Sequence, residues 1–345
     1  MIIRSLKVEN IRTHQSFSTQ LPNQTTIITG KNGSGKTSLL EAITVALVGK
    51  SFKGTDGELL RHDADWWRID IALDDQERAI KYRQSDGKKE KTFDINGKIT
   101  TRLPSMHRYP TVLFEPDDLR LIHGSPVRRR AYIDKLAAQL YPGYAQILSR
   151  YEKNLQQRNR LLKSDSSKDQ LFAWNIGLAK YGAQIIEVRS RLVDRLRERF
   201  DEVYKTIAKT EDEVTITYSH NVGVDTEQTL LNELENQIQR DSIVGYTSAG
   251  PHRHDVYISL NSTLAMRDAS RGEVRTMILA LKFIEVELLE EVLDKKPIIL
   301  LDDVFSELDE SRQTQLVTNF KNHQIIMTSV TAPKTLKNAK IVTLK

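Results

Sequence analysis

The chain has 345 residues, 39% of them hydrophobic and 28% charged. This is an ordinary globular balance, long enough for two compact domains or for one domain with a large insertion. It has no cysteine, which excludes disulfides, thiolate zinc sites, iron–sulfur clusters and cysteine nucleophiles. The net charge of +5 is unevenly spread: residues 120–210 hold 19 Lys and Arg against 9 Asp and Glu, so this segment carries +10 and the remainder −5. Such segregation fits a face turned toward a polyanion, or else a solvated helical surface. No apolar run approaches the ~20 residues of a membrane span. The N-terminus alternates like a strand and lacks a signal-peptide pattern, so a cytoplasmic location is expected.

After that first strand, Thr25-Thr26-Ile27-Ile28-Thr29 is β-branched and reads as a buried strand. Gly30-Lys31-Asn32-Gly33-Ser34-Gly35-Lys36-Thr37 then matches G-x-x-x-x-G-K-[ST] in full, and an apolar helical run begins at Ser38. Strand, glycine-rich loop and helix are the context a phosphate-binding loop requires. The glycines let the backbone N–H groups face phosphates, and the helix N-terminus adds positive potential. Lys36 is expected on the β and γ phosphates of ATP, and Thr37 on Mg²⁺.

Arg68–Leu73 and Lys91–Asn96 alternate as strands, the second running into an Asn96-Gly97 hairpin turn. From about Ser125 to Lys209 the pattern becomes helical, broken by Pro142-Gly143 and by Ser164–Ser167. Leu155, Leu161, Leu162, Leu171, Phe172, Ile176, Ile185, Ile186, Leu192 and Leu196 recur there at helix-packing spacing. Strands are expected again at Val214–Tyr218, Asp255–Ile258 and Pro297–Leu301. The organisation predicts an α/β core in two parts, residues 1–119 and 246–345, interrupted by a helical insertion over 120–245.

Ile298-Ile299-Leu300-Leu301-Asp302-Asp303 is a buried strand ending in two carboxylates. Alone it is a weak signal. Beside a phosphate loop it supplies the missing half of an ATPase: Asp302 to hold the metal, directly or through water, and Asp303 to orient or deprotonate the attacking water. Ala269-Ser270-Arg271-Gly272-Glu273 opens a long helix about 30 residues earlier, and Ser306-Glu307-Leu308-Asp309 follows the carboxylates. Taken alone, Ser270 reads as a helix N-cap. In this order and spacing the two segments resemble the signature loop and the D-loop of ABC-type ATPases. In that class the signature loop of one subunit closes on the γ-phosphate held by the other, which implies a homodimer sandwiching two nucleotides.

Leu6-Lys7-Val8-Glu9-Asn10-Ile11-Arg12 resembles the opening strand of the SMC-like ATPases. Leu113–Leu119, Gly124–Arg130, Gln157–Lys163 and Gly245–Arg253 resemble the RecF family of recombination mediators within that class, in the family's order over almost the whole chain. The resemblance implies an ABC-type ATPase core with an inserted helical arm, dimerising with ATP and Mg²⁺. It implies binding to single- and double-stranded DNA at gaps and stalled forks. It implies action with RecO and RecR to load RecA in repair, recombination, replication recovery and the SOS response, through weak ATP hydrolysis. An ATPase of another SMC-like repair or chromosome-maintenance complex is the alternative. Carried over by position, Lys36, Asp302 and Asp303 are the catalytic candidates. Gly30 to Thr37, Ser270 and Gly272 are the nucleotide contacts, and Thr37 and Asp302 the metal ligands. Arg12 is placed near the nucleotide, or else solvated at a strand edge. Arg128, Arg129, Arg130, Arg158 and Arg160 are the DNA candidates.

The sequence departs from the class in places. Ala269 and Glu273 stand where Leu and Gln are usual. Thr328-Ser329 ends the last core strand where transporters carry a switch histidine, which leaves the γ-phosphate sensor open. His254 stands where the family often has Asp, and His252 reads as a structural rather than a catalytic residue. A transporter subunit would show the switch histidine, and a coiled-coil chromosome ATPase would need far longer heptad arms. A purely structural DNA-binding protein has no use for Lys36, Asp302 or Asp303.

Overall fold

The computed structural model describes residues 2–85, 87–164, 168–219, 226–333, 336 and 338–344. The chain divides into two compact units, Met1–Asp118 with Glu285–Lys345, and Leu119–Ile284.

The first unit begins with strands β1 (Ile3–Ile11), β2 (His14–Gln20) and β3 (Thr25–Thr29), followed by helix α1 (Lys36–Val48). Strands β4 (Trp66–Leu73), β5 (Glu77–Ser85), β6 (Lys88–Ile95), β7 (Lys98–Thr100) and β8 (Thr111–Phe114) complete its first segment. Six strands form an antiparallel sheet in the order β2-β1-β4-β5-β6-β7. Strand β4 alternates buried positions with half-buried or exposed ones, so one face is packed more closely than the other. Asn96 and Gly97 both take positive φ, 50° and 85°, in the two-residue turn joining β6 to β7.

The second unit is built from α2 (Arg120–His123), α3 (Pro126–Leu140), α4 (Tyr144–Leu161), α5 (Lys168–Ala208), β9 (Val214–Ser219), α6 (Thr226–Asn236), α7 (Ile238–Val244), β10 (Asp255–Leu260), β11 (Thr263–Leu264) and α8 (Ala265–Asp268). Helix α9 (Arg271–Leu293) carries the chain across the boundary between the units. The 41 residues of α5 make a rod of about 60 Å, longer than the short helices the sequence suggests. Leu162, Leu171, Ile185, Ile186, Leu192 and Leu196 are buried as expected, but Phe172 and Ile176 are 46% and 45% exposed. Strand β10 pairs antiparallel with β9 and β11 in a separate three-stranded sheet. It is therefore part of the second unit, and the core resumes near residue 285, whereas the sequence reading put the return at 246.

The chain closes the first unit with β12 (Ile298–Asp302), α10 (Glu310–Asn319), β13 (Ile325–Ser329) and β14 (Lys340–Thr343). With β3 and β8 they form a parallel sheet in the order β14-β3-β13-β12-β8. Its inner strands are buried along almost their whole length, because both faces are covered. Helix α1 lies between the two sheets and is buried on every side, with Leu39, Ile43 and Leu47 at 0% exposure. Gln324 ties the sheets together. Its amide donates to the carbonyls of Ile3 and Pro22 at 2.8 and 2.9 Å, and its oxygen accepts from the Ile3 N–H at 2.8 Å. Among the described residues no helix is long and apolar enough to cross a membrane.

Candidate nucleotide site

Strand order and register build the site before any side chain is considered. Strand β13 runs between β3 and β12, pairing Thr328 with Ile28 on one side and with Asp302 on the other. The C-terminal ends of three parallel strands therefore meet at one edge, where open α/β sheets bind ligands. The phosphate loop leaves from β3, the carboxylates from β12, and Thr328 stands between them.

The loop takes the form its glycines permit. Gly33 and Gly35 have φ of 83° and 88°, a region costly for residues with a Cβ. A Cβ on Gly35 would fall 2.3 Å from Thr13 Oγ1 and 2.4 Å from His14 Nε2. Lys31, Asn32 and Gly33 are exposed at the tip, while Ser34 is half-buried. Lys36 is 7% exposed, and its ammonium donates to the Gly30 and Lys31 carbonyls at 2.8 and 3.1 Å. The cation thus lies across the mouth of the loop, at the opening turn of α1.

Thr37 Oγ1 donates to Asp302 Oδ1 at 2.8 Å. A hydroxyl and a carboxylate held together at a phosphate loop form a hard-oxygen pair of the kind that Mg²⁺ takes alongside phosphate oxygens. The donor set fits that ion. Asp302 Oδ1 also accepts from Thr328 Oγ1 at 2.9 Å, and Thr328 Oγ1 accepts from the Asp303 N–H at 2.9 Å. Asp303 is half-buried, in a left-handed conformation at φ 54°. Burial raises its carboxyl above the usual range. The Lys36 ammonium opposes the shift, and Asp302 and Glu307 reinforce it. A carboxylate with a raised pKa beside a metal pair is suited to accept a proton from water.

Thr13, His14, Glu41 and Ser51 at this site escaped the sequence reading. Ile11 pairs with His14 across a two-residue turn in which Arg12 has φ 48°. The turn lies on the phosphate loop: Thr13 is the close neighbour of Gly35, and His14 Nε2 shares a 3.1 Å hydrogen bond with the Gly35 carbonyl. Arg12 is clamped by Glu41 of α1, with Nη2 donating at 3.0 Å and Nε lying 2.9 Å from the second oxygen. Glu41 is 1% exposed and also accepts from Ser51 at 2.7 Å. The sequence offered one signal for this, a buried-type helix position filled by Glu.

The remaining candidates lie in the second unit. Ser270 caps α9: its N–H donates to Glu273 at 2.6 Å, and the Glu273 N–H reaches Ser270 Oγ at 3.3 Å. This reciprocal capping box explains Glu at position 273, because a carboxylate closes it. Gly272 sits in the first turn and accepts Thr276 Oγ1 on its carbonyl at 2.9 Å. The single chain therefore displays the N-cap arrangement at this loop.

The DNA candidates separate into two groups. Arg158 is 0% exposed. It donates to Asn175, Asp241, Thr247 and the Leu234 carbonyl at 2.6–3.0 Å. Arg129 is 4% exposed and forks onto both oxygens of Asp255 at 2.8 Å. Both depart from the sequence expectation, since guanidiniums enclosed in this way cannot reach a nucleic-acid phosphate. Arg130 is half-buried, donates to the His254 carbonyl at 2.7 Å, and has its pKa lowered by burial and by Arg189. Arg128 and Arg160 are exposed.

His252 is hydrogen-bonded on both ring nitrogens, the arrangement that its structural reading expects. Burial pushes its pKa down to about 4, with Arg253 and Arg130 adding to the effect. The neutral ring then has one N–H. Nε2 faces the Thr247 carbonyl at 3.0 Å and must donate, so Nδ1 accepts from Tyr151 at 2.7 Å. His254 shares a 2.9 Å hydrogen bond with Tyr218, a packing role for the position that departs from the family pattern.

The sequence matches the family described as RecF/RecN/SMC N terminal domain over residues 2–345. It is 33% identical to a DNA replication and repair protein RecF of Ruminiclostridium cellulolyticum, over 95% of this chain and 92% of that protein. It is 32% identical to the RecF of Bacillus cytotoxicus, over 100% and 97%. Its fold is similar to that of the recombination mediator protein RecF–ATP in the RecFOR pathway, with a TM-score of 0.85 and 29% identity, over 96% and 92% of the two chains. The Smc head domain of Pyrococcus furiosus shares the fold alone, with a TM-score of 0.51 and 16% identity over 95% and 89%.

Proposed function

The chain belongs to the RecF family, and from that premise we propose that it is an ATP-dependent DNA-binding recombination mediator that dimerises on nucleotide. The observation that carries this reading is the 2.8 Å contact from Thr37 to Asp302, which joins phosphate loop and carboxylate strand into one metal-competent pair.

ATP enters with its phosphates against the backbone N–H groups of residues 33–37 and the Lys36 ammonium. Thr37 and Asp302 would hold Mg²⁺, and the ion would supply charge neutralisation to the phosphates when bound. Asp303 orients the attacking water and takes its proton, giving slow hydrolysis. Arg12, held by Glu41, adds positive charge beside the loop. In the dimer, Ser270, Gly272 and the N–H groups opening α9 of one copy close on the γ-phosphate held by the other. Hydrolysis then times the release of DNA.

DNA is bound through phosphates, at gaps and junctions between single- and double-stranded regions. Arg128 and Arg160 are the exposed candidates of the five, with Arg130 at the edge of solvent. RecO and RecR are the proposed partners, because the similar ATP-bound structure is described within the RecFOR pathway. Loading of RecA is the proposed outcome, in the cytoplasm. Light scattering with and without ATP and Mg²⁺ tests the reading. A monomer is expected without nucleotide and a dimer with it, and a chain that stays monomeric with saturating ATP and Mg²⁺ contradicts it.

A further inference from the structure

The sequence places Thr328 where transporters carry a switch histidine, a residue that reads the γ-phosphate directly. The structure gives Thr328 different work. It is 0% exposed, on the central strand of the parallel sheet, with Asp302 beside it in register. Its hydroxyl accepts from the Asp303 N–H at 2.9 Å and has one hydrogen to give. That hydrogen goes to Asp302 Oδ1 at 2.9 Å, in preference to the Leu301 carbonyl at 3.5 Å. With both bonds made, the hydroxyl has no hydrogen left for a phosphate.

The two bonds act on the two carboxylates separately. The one to Asp302 fixes the oxygen that also faces Thr37, so it sets the direction of the metal pair. The one from Asp303 pins the backbone of a residue at φ 54°, where side chains other than glycine rarely settle.

We infer that Thr328 is a positioning residue for the carboxylate pair, and that it orients Asp302 toward Thr37 and holds the left-handed turn at Asp303 without contacting the γ-phosphate. The inference rests on the reading of Thr37 and Asp302 as Mg²⁺ ligands. Groups that orient a metal ligand typically change metal affinity by ten- to a hundredfold when removed. Serine keeps the hydroxyl, while valine keeps only the shape.

The test compares Thr328→Val, Thr328→Ala, Thr328→Ser and Asp302→Ala in the full chain. A fluorescent ATP analogue is titrated at a series of Mg²⁺ concentrations, and thermal unfolding reports the fold. Thr328→Val is expected to raise the half-saturating Mg²⁺ about tenfold. Nucleotide affinity without Mg²⁺ and the preference for ATP over ADP should be unchanged. At saturating Mg²⁺ kcat should fall with KM retained. Thr328→Ser should stay within about twofold of wild type, and Thr328→Ala stands in should the valine variant not fold. A wild-type Mg²⁺ dependence in folded Thr328→Val or Thr328→Ala, while Asp302→Ala is shifted, overturns the inference and leaves the metal reading standing. Loss of the ATP preference with unaltered Mg²⁺ dependence overturns it in favour of a sensor. An unshifted Asp302→Ala overturns both the inference and the reading beneath it.

Discussion

Thr37 Oγ1 and Asp302 Oδ1 lie 2.8 Å apart although 265 positions separate them in the chain. Nothing local brings them together. The parallel register of β3, β13 and β12 does, by ending three strands at one level. Asp303 follows in the same turn, with a carboxyl that burial makes more basic. Asp303→Asn keeps the shape but cannot take a proton, so nucleotide binding should persist while hydrolysis slows by about 10²- to 10⁴-fold. Single-turnover hydrolysis measured beside nucleotide affinity checks this. Wild-type turnover would remove Asp303 from the chemistry.

The glycines of the loop are not equivalent. Both Gly33 and Gly35 have positive φ, but only Gly35 faces close neighbours, Thr13 and His14. Gly33→Ala should cost only the backbone strain, roughly 1–2 kcal/mol. Gly35→Ala adds a clash that must displace the turn after β1 or the loop itself. We expect Gly35→Ala to lose nucleotide affinity far more than Gly33→Ala, as isothermal titration would show. Equal losses would mean the turn yields freely.

One part of the pH response follows from His252. Its pKa is about 4 in the folded chain, below the ordinary 6.5, because burial disfavours the charged ring. The unfolded chain therefore binds more protons between those values. The stabilisation is complete above pH 6.5 and is lost as pH falls toward 4, about 3 kcal/mol in all. Thermal melts from pH 7 to 4 should show wild type losing more stability than His252→Gln. Parallel curves would place the titration elsewhere.

Two of the five arginines assigned to DNA are fixed inside the second unit. Arg158→Ala leaves Asp241 buried without its cation and should cost roughly 3–5 kcal/mol in unfolding. Arg160→Glu, on an exposed position, should barely change stability, and Arg128→Glu, also exposed, should cost less than Arg158→Ala. They should weaken DNA binding and flatten its salt dependence by about one unit of slope per lost phosphate contact. Titrations at two salt concentrations beside chemical unfolding separate the two classes. Surface variants with an unchanged salt slope would move the DNA face elsewhere.

What was legible in the sequence was local. The phosphate loop carries its own strand and helix, and Ile298–Asp303 announces a buried strand by composition. Arg158 was not legible, because its charge counts the same in a sum whether Asp241, 83 positions away, neutralises it or solvent does. The Arg129–Asp255 fork, across 126 positions, hid in the same way. Thr328 was visible only as a missing histidine, since the bonds that define it cross between strands. The end of the insertion was misplaced because Asp255–Ile258 has the composition of a core strand, and only its antiparallel pairing with β9 assigns it to the second unit.

Ser270 is the sharpest test of the proposed dimer, because it has two separable roles. In the single chain it caps α9 in a box with Glu273. Any substitution that removes the cap costs about 1 kcal/mol on its own, which would blur a dimerisation result. Ser270→Asp avoids this, since aspartate caps helices as well as serine does. It also places a negative charge where the partner's γ-phosphate must dock, and like charges at that distance repel. The variant should melt close to wild type, bind ATP as a monomer with unchanged affinity, and fail to dimerise with ATP and Mg²⁺. Ser270→Ala serves as the control, slightly less stable but still able to dimerise through the N–H groups at the head of α9. Light scattering and nucleotide titration on all three proteins decide the matter. If Ser270→Asp forms ATP dimers as readily as wild type, the signature loop does not meet phosphate across the interface, and Ser270 is a helix cap and nothing more.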